Sequence, residues 1–256
     1  MRTLQNRQLW VPATRRGAAP SWEIRLNGVV VTSAAVIDLP DQARAFEIEN
    51  AFHLSAPVAR IGKMLAHYEL LRLVAGRPGA IVECGVFKAA SFARFAAFRD
   101  LIGDPDRNPL VAFDTFDEFP PTALEADQAR LASFVAEAGS SSIGVDQLRQ
   151  VLCTKGIKGE ADLIAGDICE TVPVWADRNP GTDILLLHVD VDIYEPSKVI
   201  FECLWPKLVS GGVMILDDYG RWEGETQAFH EYFGDKAPEV QRLPFIESTP
   251  VHVIKP

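Results

Sequence analysis

The sequence predicts an α/β protein built on a doubly wound, mostly parallel sheet. From about residue 60 onward, short apolar segments alternate with longer segments of helical periodicity, the order expected of repeated strand–helix units. Ile184–Val189 is a nearly continuous apolar run, as expected of a central parallel strand whose two faces are both covered. Two short apolar segments near the C-terminus, 240–243 and Val251–Ile254, predict an antiparallel edge.

Length and composition limit the classes of function. The chain has 256 residues, 48% hydrophobic and 23% charged, which is ordinary globular composition. Its net charge of −10 argues against a nucleic-acid partner, because an acidic surface repels phosphate backbones. No apolar run reaches the roughly 18 residues of a spanning helix, so we expect no membrane segment. Four cysteines without a CxxC pair predict reduced thiols in a cytoplasmic protein.

Residues 1–59 differ from the rest and are predicted to form an arm, a hairpin and a lid segment. Residues 1–20 contain four arginines and no acid but lack a continuous apolar stretch, so they do not form a secretory signal. Residues 22–32 alternate loosely around Asn27 and Gly28, the strongest short hairpin signal. We expect this region to act as a lid or as a contact within a homo-oligomer, and residues 60–256 to form the main domain.

The main domain is predicted element by element from apolar runs and breakers. Gly76, Pro78 and Gly79 terminate its first helix, and Gly85 follows its first strand. In the first half we predict the helix 62–74, the strand Ala80–Cys84, the helix 91–101, the strand 110–113 and the helices 124–138 and 146–153. In the second half we predict the strands Ala161–Ala165 and Ile184–Val189, the helix 197–208, the strand 213–216, the helix 226–233 and the two C-terminal strands.

Carboxylates follow nearly every predicted strand. In open parallel sheets, ligands bind at the carboxyl ends of the strands, so these side chains are expected to share one mouth. Crowded like charges raise one another's pKa unless cations lie among them. The acids in these positions are Glu83, Asp114, Asp167, Asp190, Asp192, Asp217 and Asp218.

The first strand–helix turn indicates a nucleoside cofactor without a pyrophosphate. A dinucleotide fingerprint needs GxGxxG, but Lys88, Ala89 and Ala90 stand where its later glycines belong. Asp114, at the end of the second strand, can accept both hydroxyls of a ribose. S-adenosylmethionine is the common cofactor of this kind. The alternative for Asp114 is that it only caps a turn.

The later strand ends indicate a site for a hard cation. Asp190, Asp217 and Asp218 offer oxygen ligands suited to Mg²⁺, Mn²⁺ or Ca²⁺, and the sequence offers no His/Cys cluster for zinc. Asp192 lies two residues beyond Asp190, where a carboxylate outside direct ligation can act as a general base. The alternatives are that Asp192 only supports the ligands and that the aspartates cap helices. His188 precedes the pair and is placed against the adenine or its ribose.

Five segments together resemble the macrocin-type sugar O-methyltransferases, class I enzymes that use S-adenosylmethionine. They are VECGVFKAAS, AFDTFDEFP, AGDICETVP, HVDVDIYEPSKVIFECLWPKL and GGVMILDDYGRWEGETQAFHEYF. The resemblance runs from about residue 60 to the C-terminus, and the DxD segment with GGxxxxDDYG is its most specific part. It implies methyl transfer to a deoxysugar hydroxyl, with Mg²⁺ as the usual ion.

The resemblance also implies roles for individual residues. Asp190, Asp217 and Asp218 match the metal ligands and Asp192 the proposed base. The cofactor-binding set predicted for this chain is Glu83, Gly85, Phe87, Ser91, Asp114, Thr115, Gly166, Asp167 and His188. Ala89 departs from the pattern, since the family often has glycine there, and residues 1–59 match poorly.

Four other functions compete with sugar methylation, one of them a nucleic-acid methyltransferase, which would need a basic face that a chain with net charge −10 is poorly placed to offer. Catechol-type O-methyltransferases also use a metal and a strand-end aspartate, but they place a lysine three residues after it, where this chain has Ile193. A sugar hydroxyl is a far weaker acid than a phenol, so an added carboxylate base fits it better. The absence of the later GxGxxG glycines argues against a nicotinamide oxidoreductase. A non-catalytic nucleoside-binding module would bind the cofactor without turnover.

Overall fold

The computed structural model describes residues 21–26, 29–34 and 37–256. The strands are β1 Ser21–Leu26, β2 Val29–Ala34, β3 Ala80–Cys84, β4 Leu110–Asp114, β5 Ala161–Ala165, β6 Ile184–Val189, β7 Leu208–Leu216 and β8 Val251–Ile254. The α-helices are α1 Ala45–Ser55, α2 Val58–Val74, α3 Ala90–Ile102, α4 Glu125–Ala138, α5 Val145–Thr154, α6 Ile168–Arg178, α7 Tyr194–Leu204 and α8 Glu223–Phe233.

Six strands form one twisted sheet in the order β5-β4-β3-β6-β7-β8. The first five strands pair in parallel, and β8 pairs antiparallel to β7. The predicted doubly wound sheet with an antiparallel edge is therefore confirmed. β1 and β2 form a separate antiparallel hairpin in which Leu26 pairs with Val29. The predicted turn residues Asn27 and Gly28 and the predicted arm 1–20 lie outside the described residues.

The strand predicted at 240–243 is wrong. Within the described residues, this segment contributes a single antiparallel bridge, in which Gln241 and His252 exchange backbone hydrogen bonds of 2.8 and 2.9 Å. Pro238 and Pro244 flank it, and proline has no N–H to extend a ladder. The antiparallel edge therefore rests on β8.

Two helices were not expected. α6 contains Pro173, which removes a backbone donor and reads in sequence as a helix breaker. Asp167 compensates at its start by accepting a hydrogen bond from the Cys169 N–H at 2.8 Å. α1 buries none of its residues, so it carries no clear core-facing stripe. The other predicted helices and strands are present, with ends shifted by up to five residues.

The sheet separates two hydrophobic layers. Val82, Leu187 and Met214, which are aligned across three strands, face α6, α7 and α8. Their neighbours in each strand face α2, α3 and α5, because side chains alternate across a sheet. This parity places Glu83 and His188 on the α2–α3 face. None of the described helices is long and apolar enough to cross a membrane.

Candidate active site at the carboxyl edge of the sheet

A cavity of about 1280 Å³ opens at the carboxyl ends of the parallel strands. This is where a doubly wound sheet is expected to bind its ligands. Most of the predicted site residues line it, namely Gly85, Phe87, Ser91, Asp114, Thr115, Asp167, Asp190, Asp192, Asp217 and Asp218. We call the part around the β3–α3 turn and Asp114 the cofactor side, and the part around the other four aspartates and α4 the acid side.

On the cofactor side, three residues of the turn after β3, Gly85, Phe87 and Ala89, have positive φ angles. Gly85 has φ +87°, and a Cβ there would lie 1.8 Å from the Asp190 carbonyl oxygen. Glycine therefore lets the ends of β3 and β6 touch. Phe87 and Ala89 have φ of 47° and 64°, a conformation that costs a non-glycine residue about 1–3 kcal/mol. Ala89, at the position where the resembled family often has glycine, thus adopts a backbone conformation that favours glycine.

Asp114 organises this turn from the end of β4. Its Oδ2 accepts the Val86 and Phe87 N–H groups at 2.6 and 2.9 Å, and its Oδ1 accepts the Phe116 N–H at 2.7 Å. Asp114 therefore does cap this turn, as the alternative interpretation predicted. The Thr115 hydroxyl lies 3.3 Å from Oδ1 and 3.0 Å from the Glu118 carbonyl oxygen, so of the roughly four lone-pair positions of the carboxylate only the one facing Thr115 is not taken by a backbone N–H. Asp114 also lines the cavity.

On the acid side, Asp190, Asp217 and Asp218 each offer an oxygen within 4.8 Å of the others. They come from the ends of the adjacent parallel strands β6 and β7, and all three line the cavity. Asp192 follows at φ +62°, in the left-handed region, and is held close to the same cluster. The structure therefore brings together the four aspartates that the sequence grouped.

The crowding of these carboxylates changes their pKa values. Burial and the charge of Asp217 raise the pKa of Asp190 to about 8. Burial also raises the pKa of Asp192 to about 6. Burial and the charges of Asp192 and Asp217 raise the pKa of Asp218 well above its usual range.

Lys63 is a cation on the acid side that the sequence analysis missed. Its Nζ on α2 donates to Asp217 and lies 4.0 Å from Asp190 Oδ2. Burial alone would lower the pKa of this amine, but the charges of Asp190 and Asp217 raise it above its usual value. A possible signal is that His67 follows four residues later on the same helical face, so two basic side chains interrupt its apolar pattern.

The structure places His188, predicted to contact the cofactor, outside the cavity lining. Its ring is fully buried on the α2–α3 face, 5.0 Å from the His67 ring and 5.3 Å from the Phe95 ring. Nδ1 lies 3.5 Å from Glu83 Oε2, and Nε2 lies 3.5 Å from Asp217 Oδ1. Strand alternation causes this placement, because a residue inside β6 must point to one face of the sheet rather than out of its end.

His188 therefore lies between Glu83 on β3 and Asp217 at the end of β7, within the buried α2–α3 layer. Burial lowers its pKa, but hydrogen bonding with Asp217 and Glu83 and the charge of Glu83 raise it to about 10. His67, His188 and Asp217 also offer ligand atoms within 4.8 Å of one another. Both histidines are fully buried and lie outside the cavity lining, whereas Asp190, Asp217 and Asp218 all line it, so the all-carboxylate group is the better candidate.

Two other predicted cofactor residues, Glu83 and Gly166, are not among the residues that line the cavity. Glu83 is 1% exposed and accepts the Ser91 hydroxyl at 2.7 Å. Gly166 is likewise outside the lining, and its neighbour Asp167 reaches the cavity instead. Both follow from strand alternation and from the turn directions at the strand ends.

Glu225 is a second residue that the sequence analysis missed. It is fully buried on α8, and its Oε1 accepts the Asp218 backbone N–H at 3.3 Å. Burial and the charges of Asp217 and Asp190 raise its pKa well above the usual range. Among the described residues, its Oε2 and the Asp218 Oδ2 are buried oxygens without a hydrogen-bond partner. A carboxylate seven residues after a strand-end acid gives no local signal of this contact.

Comparison with known proteins identifies the family. A family model described as Macrocin-O-methyltransferase (TylF) matches residues 60–243. The chain belongs to this family. Membership confirms the resemblance seen in the five motifs.

Solved structures similar to this chain include a crystal structure of CalS11, described as a calicheamicin methyltransferase, which is 27% identical with a TM-score of 0.64. The match covers 84% of this chain and 86% of that one. An apo structure of CalS11, described as a TDP-rhamnose 3'-O-methyltransferase, is 26% identical with a TM-score of 0.60 and covers 84% and 87%.

A curated relative from Streptomyces olivaceus is described as 8-demethyl-8-(2,3-dimethoxy-alpha-L-rhamnosyl)-tetracenomycin-C 4'-O-methyltransferase. It is 28% identical over 167 residues, which is 63% of this chain and 60% of that relative. The match thus spans less than two thirds of the relative's length.

Proposed function

We propose that this macrocin-type methyltransferase transfers a methyl group from S-adenosylmethionine to a hydroxyl of a sugar, in a reaction that requires a divalent cation. The acceptor is a deoxysugar, either linked to a nucleotide or carried by a natural product. The observation that carries the proposal is the meeting of four carboxylates with the strained β3–α3 turn in one cavity. The substrates of the relatives described above support a sugar acceptor.

The acid side fits a hard cation such as Mg²⁺. Asp190, Asp217 and Asp218 form an all-oxygen donor set, which hard cations prefer. The buried Asp218 Oδ2, for which the described residues provide no hydrogen-bond partner, is a ready ligand atom. Burial and the neighbouring carboxylates raise the pKa of Asp190 and Asp218, and a bound positive charge would oppose both effects. When bound, Mg²⁺ supplies Lewis-acid chemistry that lowers the pKa of a hydroxyl and orients it.

The chain's residues divide the remaining work between the two sides. The β3–α3 turn and Asp114 would hold the cofactor, whose sulfonium supplies the methyl group. As the carbon–oxygen bond forms and the carbon–sulfur bond breaks, the hydroxyl proton goes to Asp192, which we assign as general base. The raised pKa of Asp192, about 6, suits a group that must accept a proton near neutral pH.

Lys63 does not replace the lysine of catechol-type enzymes. Because Asp190 and Asp217 raise its pKa above the usual value, it remains charged and cannot accept a proton near neutral pH. The phenol alternative nevertheless belongs in the test below.

The test is methyl transfer from cofactor labelled in the methyl group to a panel of nucleotide-linked sugars, glycosides and catechols. We expect label in a sugar hydroxyl with Mg²⁺, none after EDTA treatment, and recovery when Mg²⁺ is restored. Cofactor binding, measured by calorimetry, should survive EDTA because its contacts lie on the other side of the cavity. Full activity in EDTA would refute the metal requirement, and label only in catechols would refute the sugar acceptor.

We also propose that the enzyme is a cytoplasmic homo-oligomer. In the described part of the chain, α1 buries none of its side chains, and Phe46 and Leu54 on it are 77% and 87% exposed. Apolar side chains this exposed on one helix are typical of a contact surface. Light scattering coupled to size-exclusion chromatography tests this, and a monomer at micromolar concentration would contradict it.

A further inference from the structure

Helix α4 is held in place by a buried carboxylate in addition to the aromatic contacts of the partly buried Phe134. Within α4, which the structure describes in full, Asp127 is the one buried residue, at 1% exposure. Helices of globular proteins usually dock through an apolar stripe. A helix whose buried side chain is a carboxylate depends on the partners of that carboxylate for its orientation.

The partner of Asp127 is the N-terminus of α8. Its Oδ1 accepts the Gly224 backbone N–H at 3.3 Å, in the first turn of that helix. The first N–H groups of a helix have no partner within the helix, and the helix dipole favours a negative charge there. Asp127 therefore caps α8 from 97 residues away in the sequence.

Gly224 is the residue that lets the two helices approach this closely. A Cβ at position 224 would lie 2.2 Å from Asp127 Oδ2 and 2.4 Å from the Tyr194 backbone nitrogen. The second distance is to backbone, which cannot move as a flexible side chain can. The contact is thus built from a specific acid and a specific glycine.

The segment leading into α4 is held by a second carboxylate. Glu195 on α7 accepts the Ala123 N–H at 2.9 Å and the Thr122 hydroxyl at 3.1 Å. Glu195 fixes where the chain enters α4, and Asp127 then fixes the direction of its first turn. Both anchors are polar, so a single substitution can release the helix without removing core packing.

The position of α4 determines one wall of the acid side. The Arg130 guanidinium lies 5.2 Å from the centre of the Trp222 ring, and the Phe134 and Trp222 rings are 6.5 Å apart. Phe119 lies 5.8 Å from Phe134 and also lines the cavity. Trp222 directly precedes α8, and its N–H donates to the Asp218 carbonyl at 2.9 Å. The backbone hydrogen bond from Trp222 to Asp218 therefore connects this wall directly to the group of aspartates.

We propose that Asp127 is a positioning residue that sets acceptor recognition by fixing α4 onto α8. The proposal rests on the proposed function, since it assumes that the acceptor binds on the acid side. Aromatic rings and a stacked guanidinium suit the apolar face of a deoxysugar, whose hydroxyls then point toward the aspartates. Asp127 touches neither acceptor nor cofactor, and it acts through Arg130 and Phe134.

The test compares Asp127→Ala and Asp127→Asn with Glu125→Ala, which removes an exposed carboxylate from the same helical turn. Asp127→Ala should raise the acceptor KM about tenfold or more, with a smaller change in kcat. The cofactor Kd should change less than the acceptor KM, because among the rings near Phe134 only that of Phe87, at 5.5 Å, belongs to the β3–α3 turn. Asp127→Asn keeps an oxygen acceptor for the Gly224 N–H and should restore most of the affinity. Glu125→Ala should behave as the wild type.

Hydrogen exchange gives a readout that needs no acceptor. Asp127→Ala should speed amide exchange across residues 122–138, while exchange in the sheet is unchanged. Equal exchange and equal KM in Asp127→Ala and Glu125→Ala would overturn the proposal, and so would equal losses of cofactor and acceptor affinity. If Asp127→Ala fails to fold, Asp127→Asn provides the test. Slow amide exchange in its α4 together with a wild-type acceptor KM supports the proposal. Slow exchange together with a raised acceptor KM overturns it. If the wild type methylates no sugar, the proposed function fails while the exchange comparison still tests the contact.

Discussion

The two sides of the cavity differ in how their carboxylates are stabilised. On the cofactor side, the carboxylate of Asp114 is satisfied by three backbone N–H groups, and the turn it organises has a defined shape without any ligand. On the acid side, Asp190, Asp192 and Asp218 repel one another, and burial raises the pKa of each. The comparison teaches that backbone geometry preorganises one side, whereas the other holds charge that a cation and a proton can balance.

The largest expected effect separates proton transfer from cation binding. Asp192→Asn keeps the shape of the side chain but removes its basicity, so turnover should fall about 10²–10⁴-fold with little change in cofactor affinity. Steady-state kinetics and cofactor calorimetry measure both quantities. Asp177→Asn, a change at an exposed position on α6, serves as the control. Near-normal turnover of Asp192→Asn would show that this carboxylate only supports the cluster.

A smaller effect is expected on the cofactor side. Asp114→Ala should weaken S-adenosylmethionine binding by about 1.5–3 kcal/mol, the range for lost charge-assisted hydrogen bonds. Because Asp114 also caps the turn, the variant should lose thermal stability as well. Calorimetry and thermal melting distinguish the two roles. A lower melting temperature with unchanged cofactor affinity would leave Asp114 with the structural role alone.

The smallest expected effect is a pH dependence confined to the acid side. The pKa of Asp190 is raised to about 8, so this carboxyl carries a proton below that pH, and ligation must displace it. Mg²⁺ affinity should therefore rise with pH up to about 8, and fall about tenfold per pH unit below it for each proton released. Calorimetric titration in two buffers of different ionisation enthalpy measures the proton release. Cofactor affinity over the same range should stay constant, and parallel changes would contradict the division into two sides.

The predicted sheet and the predicted acids depend on local sequence patterns. Alternating apolar segments identified the five parallel strands, because burial on both faces demands an apolar run wherever a central strand lies. The acids at strand ends could be grouped for a similar reason, since parallel strands bring their carboxyl ends to one edge. Where a local pattern lacked strength, as at the proline-flanked 240–243 and the proline-containing α6, the predictions were wrong or incomplete.

The sequence by itself determined the fold class, the family and the cluster of Asp190, Asp192, Asp217 and Asp218. Only the tertiary structure decided that Lys63 pairs with Asp217, 154 residues away, and that Glu225 lies beneath Asp218. It also decided that His188 points into the α2–α3 layer and that Asp127 caps α8. The physical reason is that strand and helix periodicity is written in neighbouring residues. The choice of partner for a buried charge depends instead on which distant elements pack against it.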